Sequence, residues 1–241
     1  MKEKMDERKL INKILSNDYL WELTLCTIRV MVLPKCRVTL EYFEKKKEID
    51  IDALHDALKL VQDVCNALLE YYGMKKRYIV SAKVKGEKEP LHEVFIIGRR
   101  KNTVKKIVDL VVEKNLYKDT TTIRYLGKMF GYPKCCIDAF VKDAIAAKKE
   151  RQHPLVYAYE RYVQQSEDAG LPVRYCKTHK IKEPILPLMI ITKDYMPELD
   201  KGITHIPCSP FCNETWWNYA YFHSWKKRVV ETLCRLKEME K

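Results

Sequence analysis

Two short stretches carry the residue types best suited to chemistry. GYPKCC, Gly131 to Cys136, places two adjacent cysteines just after a proline. HIPCSPFC, His205 to Cys212, runs through a second proline and carries two more. Each reads into a helix. Proline is favoured at the first helical turn, where its missing N–H costs nothing. The first turn also leaves backbone N–H groups without intrahelical partners and holds the positive end of the helix dipole, so thiolates are stabilised there. Cys135, Cys136, Cys208 and Cys212 are therefore expected to form one thiolate site between two helix starts. A metal is its expected occupant. Adjacent residues on a helix point about 100° apart, so one of Cys135 and Cys136 can ligate while the other packs, supports or attacks.

Further groups lie around these four. Lys134 adds a cation beside Cys135 and is expected to steer an anion. His205 stands three residues before Cys208 as a supporting residue or an acid/base. Ser209 and Pro210 read as N-cap and first helical residue, with Glu214 and Thr215 one turn on. Cys176 and His179 have a Cys-x2-His spacing that is common in zinc sites. With Cys208 and Cys212 they would make a competing set of three cysteines and one histidine. Four sulfurs suit zinc or an iron–sulfur cluster. The adjacent pair is easier to place on a cluster, whose irons are separate corners, so iron–sulfur is the favoured expectation. Thiol chemistry without metal is the third option.

The two motifs also carry a resemblance. A leader of the form LG-x3-GYP-x-CC, here Leu126 to Cys136, and a later H-x-PCS-x2-C-x2-T, here His205 to Thr215, resemble the marks of an archaeal family of proteins of unknown function. The resemblance implies that these residues belong to one shared site. It implies no activity.

Composition limits the possible functions. The 241 residues are 46% hydrophobic and 32% charged, enough to bury a core without disulfide staples. Nine cysteines, an odd number, argue against a disulfide framework. No apolar run approaches the roughly 20 residues that a membrane helix needs, and MKEKMDERKL lacks the apolar stretch of a signal peptide. A cytoplasmic protein with no membrane association is expected. Lys and Arg exceed Asp and Glu by 45 to 33, a formal net charge of +12. That favours RNA or another polyanion as partner, although a basic surface also serves solubility alone.

The elements that must position these motifs fall into two parts. Residues 1–117 read as a small α+β unit with a short antiparallel sheet, a scaffold or recognition unit. Residues 118–241 read as a mainly helical unit carrying the thiolate site. In the first part a helix over 3–16 precedes a short helix capped by Asn17 or Asp18. The β-branched run Thr27 to Leu33 then reads as a strand, with Arg37 to Phe43 as its hairpin partner. Asp50 to Tyr72 is a strong helix closed by Gly73. Tyr78–Val84 and Glu93–Ile97 pair across GEKEP. Arg99, Arg100 and Lys101 stand before a helix capped by Asn102 or Thr103, a candidate phosphate seat. In the second part, helices are expected over 120–130, 134–148, 154–169 and 211–239, with a buried strand within Pro184 to Thr192. On the last helix Trp217, Ala220, Tyr221, Ser224 and Trp225 share a face expected to pack inward. The alternative function is a non-enzymatic nucleic-acid-binding protein with structural zinc. The favoured one is a metalloprotein performing redox or sulfur chemistry on an anionic substrate.

Overall fold

The structure is a computed structural model, and it describes residues 7–44, 51–85, 92–113, 116–117, 119–171, 173–176, 181–184 and 206–239. It is α+β and mostly helical, with a small antiparallel sheet in the N-terminal part. Two compact units are present: residues 1–115 together with 221–241, and residues 116–220. The first break falls close to residue 117. The last helix does not stay whole with the cysteine motifs, because from Tyr221 onward it belongs to the first unit. The reason lies in its apolar stripe. Phe222, Trp225, Val229 and Leu233 recur at helical spacing and join the core of that unit.

In the first unit, α1 (Glu7–Ser16), α2 (Asp18–Val32) and α3 (Ile51–Tyr71) pack around strands β1 (Val38–Glu44), β2 (Val80–Lys85) and β3 (His92–Gly98). The strand order is β1-β3-β2, and both pairings are antiparallel. Alternation along β3 covers both faces. Phe95 and Ile97 enter the core shared with α2 and α3, while α4 (Lys101–Val112) packs on β2 and β3. A Cβ on Gly98 would stand 2.7 Å from Val104 Cγ2, so the absent side chain admits α4 at that point.

The expected hairpin of 27–33 with 37–43 does not form. Residues 27–32 continue α2, and β1 pairs with β3 instead. A short apolar run cannot be assigned from periodicity alone. Here Thr27, Ile28, Val30, Met31 and Val32 are all buried, and a helix apolar all round can serve as a buried element. Asn17 caps its start by accepting from the Leu20 N–H at 3.0 Å. Its end is closed by two arginines. Arg99 donates to the carbonyls of Val30, Leu33 and Pro34, and Arg77 to those of Met31 and Val32. Arg99 is thus turned back into the fold and is not available to a phosphate before α4. The cap of α4 is Arg100, without a side-chain cap bond, and not Asn102 or Thr103.

In the second unit, α5 (Thr120–Phe130), α6 (Lys134–Lys149) and α7 (Pro154–Asp168) pack in sequence, and a two-stranded hairpin, β4 (Val173–Cys176) with β5 (Ile181–Pro184), lies against α7. The last helix, α8, spans Asn213–Met239. Gly127 lets α5 approach α6: a Cβ there would meet Ile137 Cγ1 at 2.6 Å. Gly131, at φ +77°, then ends α5 in the left-handed conformation, and the Tyr132 N–H returns to the Gly127 carbonyl at 2.9 Å. The expected strand within 184–192 falls almost wholly on residues outside those described. Trp217 is 76% exposed and Tyr221 is also exposed, contrary to the expected inward face. The buried stripe runs through Thr215, Tyr219, Phe222 and Trp225. No helix among the described residues is long and apolar enough to cross a membrane.

Candidate metal centre

The second unit brings Cys135, Cys136, Cys208 and Cys212 together, with all four sulfurs within 4.8 Å of one another. Pro133 caps α6, so Lys134, Cys135 and Cys136 occupy its first turn, as expected. The cap makes no side-chain hydrogen bond, and the Ile137 N–H reaches the Pro133 carbonyl at 3.0 Å. The start of α8 differs from its expectation. Ser209 and Pro210 do not open the helix. They form a turn in which the Cys212 N–H meets the Ser209 carbonyl at 3.2 Å. Cys212 stands just ahead of Asn213, and its carbonyl accepts the Trp216 N–H at 3.1 Å. Its sulfur accepts from the backbone N–H of Thr215 and shares that residue's hydroxyl with the Cys136 sulfur. Cys212 thus performs the capping role that the serine was expected to fill.

The sulfurs pack closely. Cys135 and Cys136 are 3.9 Å apart, Cys135 and Cys212 3.6 Å, and Cys136 and Cys212 3.5 Å. Both members of the adjacent pair therefore face the same partner. The Thr215 hydroxyl lies 3.3 Å from the Cys136 sulfur, and the Cys208 N–H donates to that sulfur at 3.4 Å. Cys136 and Cys212 are buried, Cys208 is half-buried and Cys135 is exposed.

The electrostatics of the four are unequal. Burial and hydrogen bonding with Cys212 and Cys208 push the Cys135 thiol up to about 11. Burial pushes Cys136 up further, outweighing the bonds it accepts from Thr215 and Cys208. Burial also acts upward on Cys212, but hydrogen bonds from Thr215, Cys136 and Cys135 outweigh it and hold this thiol at about 7. The cluster alone thus accommodates one thiolate near neutrality. A bound cation would supply the charge that lets the others ionise. The buried Tyr162 hydroxyl, whose electrostatic neighbours include Cys136 and Cys212, has no hydrogen-bond partner among the described residues.

One positioning residue was missed at the level of sequence. Arg161, on α7, donates through Nη1 to the Cys208 carbonyl at 3.0 Å and through Nη2 to the Pro207 carbonyl at 3.2 Å. Its Nε meets the buried Asp143 carboxylate at 2.9 Å and 3.0 Å. This clamp ties the cysteine loop to α6 and α7. An Arg far from a cysteine motif gives no local signal, and the pairing exists only once the helices pack.

The remaining expected site residues divide as follows. Lys134 has a side chain 91% exposed and pairs with Asp138 at 3.2 Å, on the carboxylate that also binds Arg124. Cys176 ends β4, but its side chain, His179 and His205 lie outside the described residues. Cys208 and Cys212, which the grouping with Cys176 and His179 would have shared, sit with Cys135 and Cys136.

Comparison with curated proteins and with solved structures finds no match. A family model does match, over residues 90–240, a span that contains both cysteine motifs and the Asp143–Arg161 clamp. The match covers more than half of the chain, and the protein belongs to that family, described as a protein of unknown function (DUF483).

Proposed function

We propose that the four cysteines hold one metal ion, zinc by its chemistry, in a closed four-thiolate site that joins the start of α6 to the loop before α8. The observation that carries this reading is the sulfur spacing. A tetrahedral zinc with Zn–S bonds of about 2.3 Å separates its sulfurs by about 3.8 Å. The three separations among Cys135, Cys136 and Cys212 run from 3.5 to 3.9 Å. In a four-iron cluster each cysteine sits on its own iron, and in a two-iron cluster the cysteines fall into two pairs on separate irons, so four ligands spread further apart than around one ion. The spacing therefore supports one ion over the cluster that the adjacent pair suggested.

Four protein thiolates complete a tetrahedral shell, which is the pattern of structural zinc and leaves no open position for substrate. This supports a metal that stabilises and shapes the second unit over one that performs redox or sulfur chemistry. Anaerobic purification followed by metal and acid-labile sulfide analysis tests it. One equivalent of zinc in colourless protein is the expected result. Brown protein with stoichiometric sulfide would overturn it.

A second reading is favoured by the exposure of Cys135, 3.6 Å from a Cys212 thiol held near neutrality. Such a pair suits metal-free thiol chemistry. Its mark would be metal-free protein in which a mild oxidant closes a Cys135–Cys212 disulfide that a reductant reopens.

A further inference from the structure

The first unit carries an exposed aromatic surface that the metal reading does not use. Tyr71, at the end of α3, is 81% exposed, and Tyr78 is 65% exposed. Tyr72 lies between α3 and α8, with its ring 5.1 Å from that of Tyr71 and 5.6 Å from that of Trp225. The Arg228 guanidinium stands 4.5 Å from the centre of the Tyr72 ring. An exposed tyrosine alone means little. Here, however, exposed rings of one unit are arranged along a short stretch whose backbone is fixed.

That fixing is specific. After Gly73 the chain turns back along α3, where the Arg77 N–H meets Asn66 Oδ1 at 2.8 Å and the Ile79 N–H meets Gln62 Oε1 at 2.9 Å. From Lys76 to Ile79 exposed and half-buried side chains alternate. Arg77 and Ile79 turn inward, while Lys76 and Tyr78 turn out. Lys75 is exposed as well. Lys76 pairs with Glu70 at 3.0 Å and keeps about half of its surface in water. The result is a stretch in which exposed tyrosines and lysines follow one another, with Glu70 and Asp63 beside Lys76, and Arg228 over the Tyr72 ring, in a chain of net charge +12.

We propose that this strip, Tyr71, Tyr72, Lys75 and Tyr78 with Arg228, binds single-stranded nucleic acid. Bases stack on the exposed tyrosines, and phosphates are met by Lys75 and Arg228. Every base has a π-face, so stacking tolerates sequence, and neighbouring cations follow the backbone. Charge complementarity selects this occupant: an apolar protein partner would not favour cations between the rings, and a duplex would hide its bases from them.

The test is fluorescence anisotropy of the metal-loaded full chain with a labelled single-stranded RNA of about twelve nucleotides, in low salt. Binding should weaken steeply between about 50 and 200 mM salt. Tyr71→Ala and Tyr78→Ala should each weaken it roughly 5- to 100-fold with the salt dependence preserved. Lys75→Gln should make the salt dependence shallower by somewhat less than one charge. An abasic strand of equal length should bind at least roughly tenfold more weakly. No binding at low salt, equal binding of the abasic strand, or tyrosine variants that bind like the parent would overturn the proposal. So would tighter binding of an acidic peptide than of RNA. Metal content is measured in every variant. Retained metal with lost RNA binding separates this strip from the cysteine site, and RNA binding that disappears only with the metal would overturn the assignment to the strip.

Discussion

Two helix ends, one in each unit, face the same physical problem and meet it differently. The C-terminus of α2 presents carbonyls without helical partners, and the N-terminus of α6 presents N–H groups without them. At α2 the answer is a pair of guanidiniums, Arg77 and Arg99, which donate to five carbonyls between them. Arginine stays charged and inert in that position. At α6 no side chain caps the helix, and thiols gather in its first turn. Thiols ionise, oxidise and bind metal. The saturated end is closed to other partners, and the end left to thiols keeps groups that could bind a metal.

Removing one partner at each helix end should give the largest effects. Cys136 touches Cys212, Thr215 and the Cys208 N–H, so Cys136→Ser should abolish stoichiometric metal binding. The accompanying stability loss should be on the order of 5 kcal/mol, read as a fall in the melting temperature that a chelator reproduces in the parent. Arg99→Ala should cost about 3 kcal/mol, because it strips charged donors from three carbonyls in a partly buried setting. Chemical denaturation measures it, and metal content should not change. Equal metal loss in both variants would erase the distinction between the two ends.

A finer test lies in Arg161, which uses the α2 solution in the service of the thiol site. Arg161→Lys keeps the charge opposite Asp143 but removes the planar fork that spans the Pro207 and Cys208 carbonyls. Metal affinity should fall roughly 10- to 100-fold, measured by competition with a coloured chelator, with the helical content preserved.

The smallest effect separates packing cysteines from site cysteines. Cys36 and Cys65 are buried, and burial pushes their thiols from 9.0 up to about 11 and about 12. Their folded values lie above the unfolded one. Below about pH 9 the two states bind the same protons. Above it the unfolded thiols ionise first, so stability falls as pH rises towards the folded values. Denaturation midpoints should decline above about pH 9, and Cys65→Ala should make the decline shallower.

The cysteine motifs were legible in the sequence because their signal is local. Proline, glycine and thiol types at short spacing place the first turn of α6, and Gly131 marks the end of α5. Lys134 and the Arg99 corner were legible as charge, but their partners were not. Asp138 and the α2 carbonyls reach them only in the folded chain. The run Thr27 to Leu33 failed as a strand because an apolar β-branched stretch fits a buried helix equally well, and burial on every side is a tertiary property.

Most of the helices and the β2–β3 hairpin could be read from the chain alone, as could four thiols gathered from two places in its second part. Periodicity, caps and turn residues act within a few positions, so they need no other part of the fold. That Cys135 and Cys136 both face Cys212, that Cys212 takes the position before α8, and that Arg161 holds the cysteine loop became visible in the folded chain. Those facts are distances between residues far apart in the chain, and packing alone sets them.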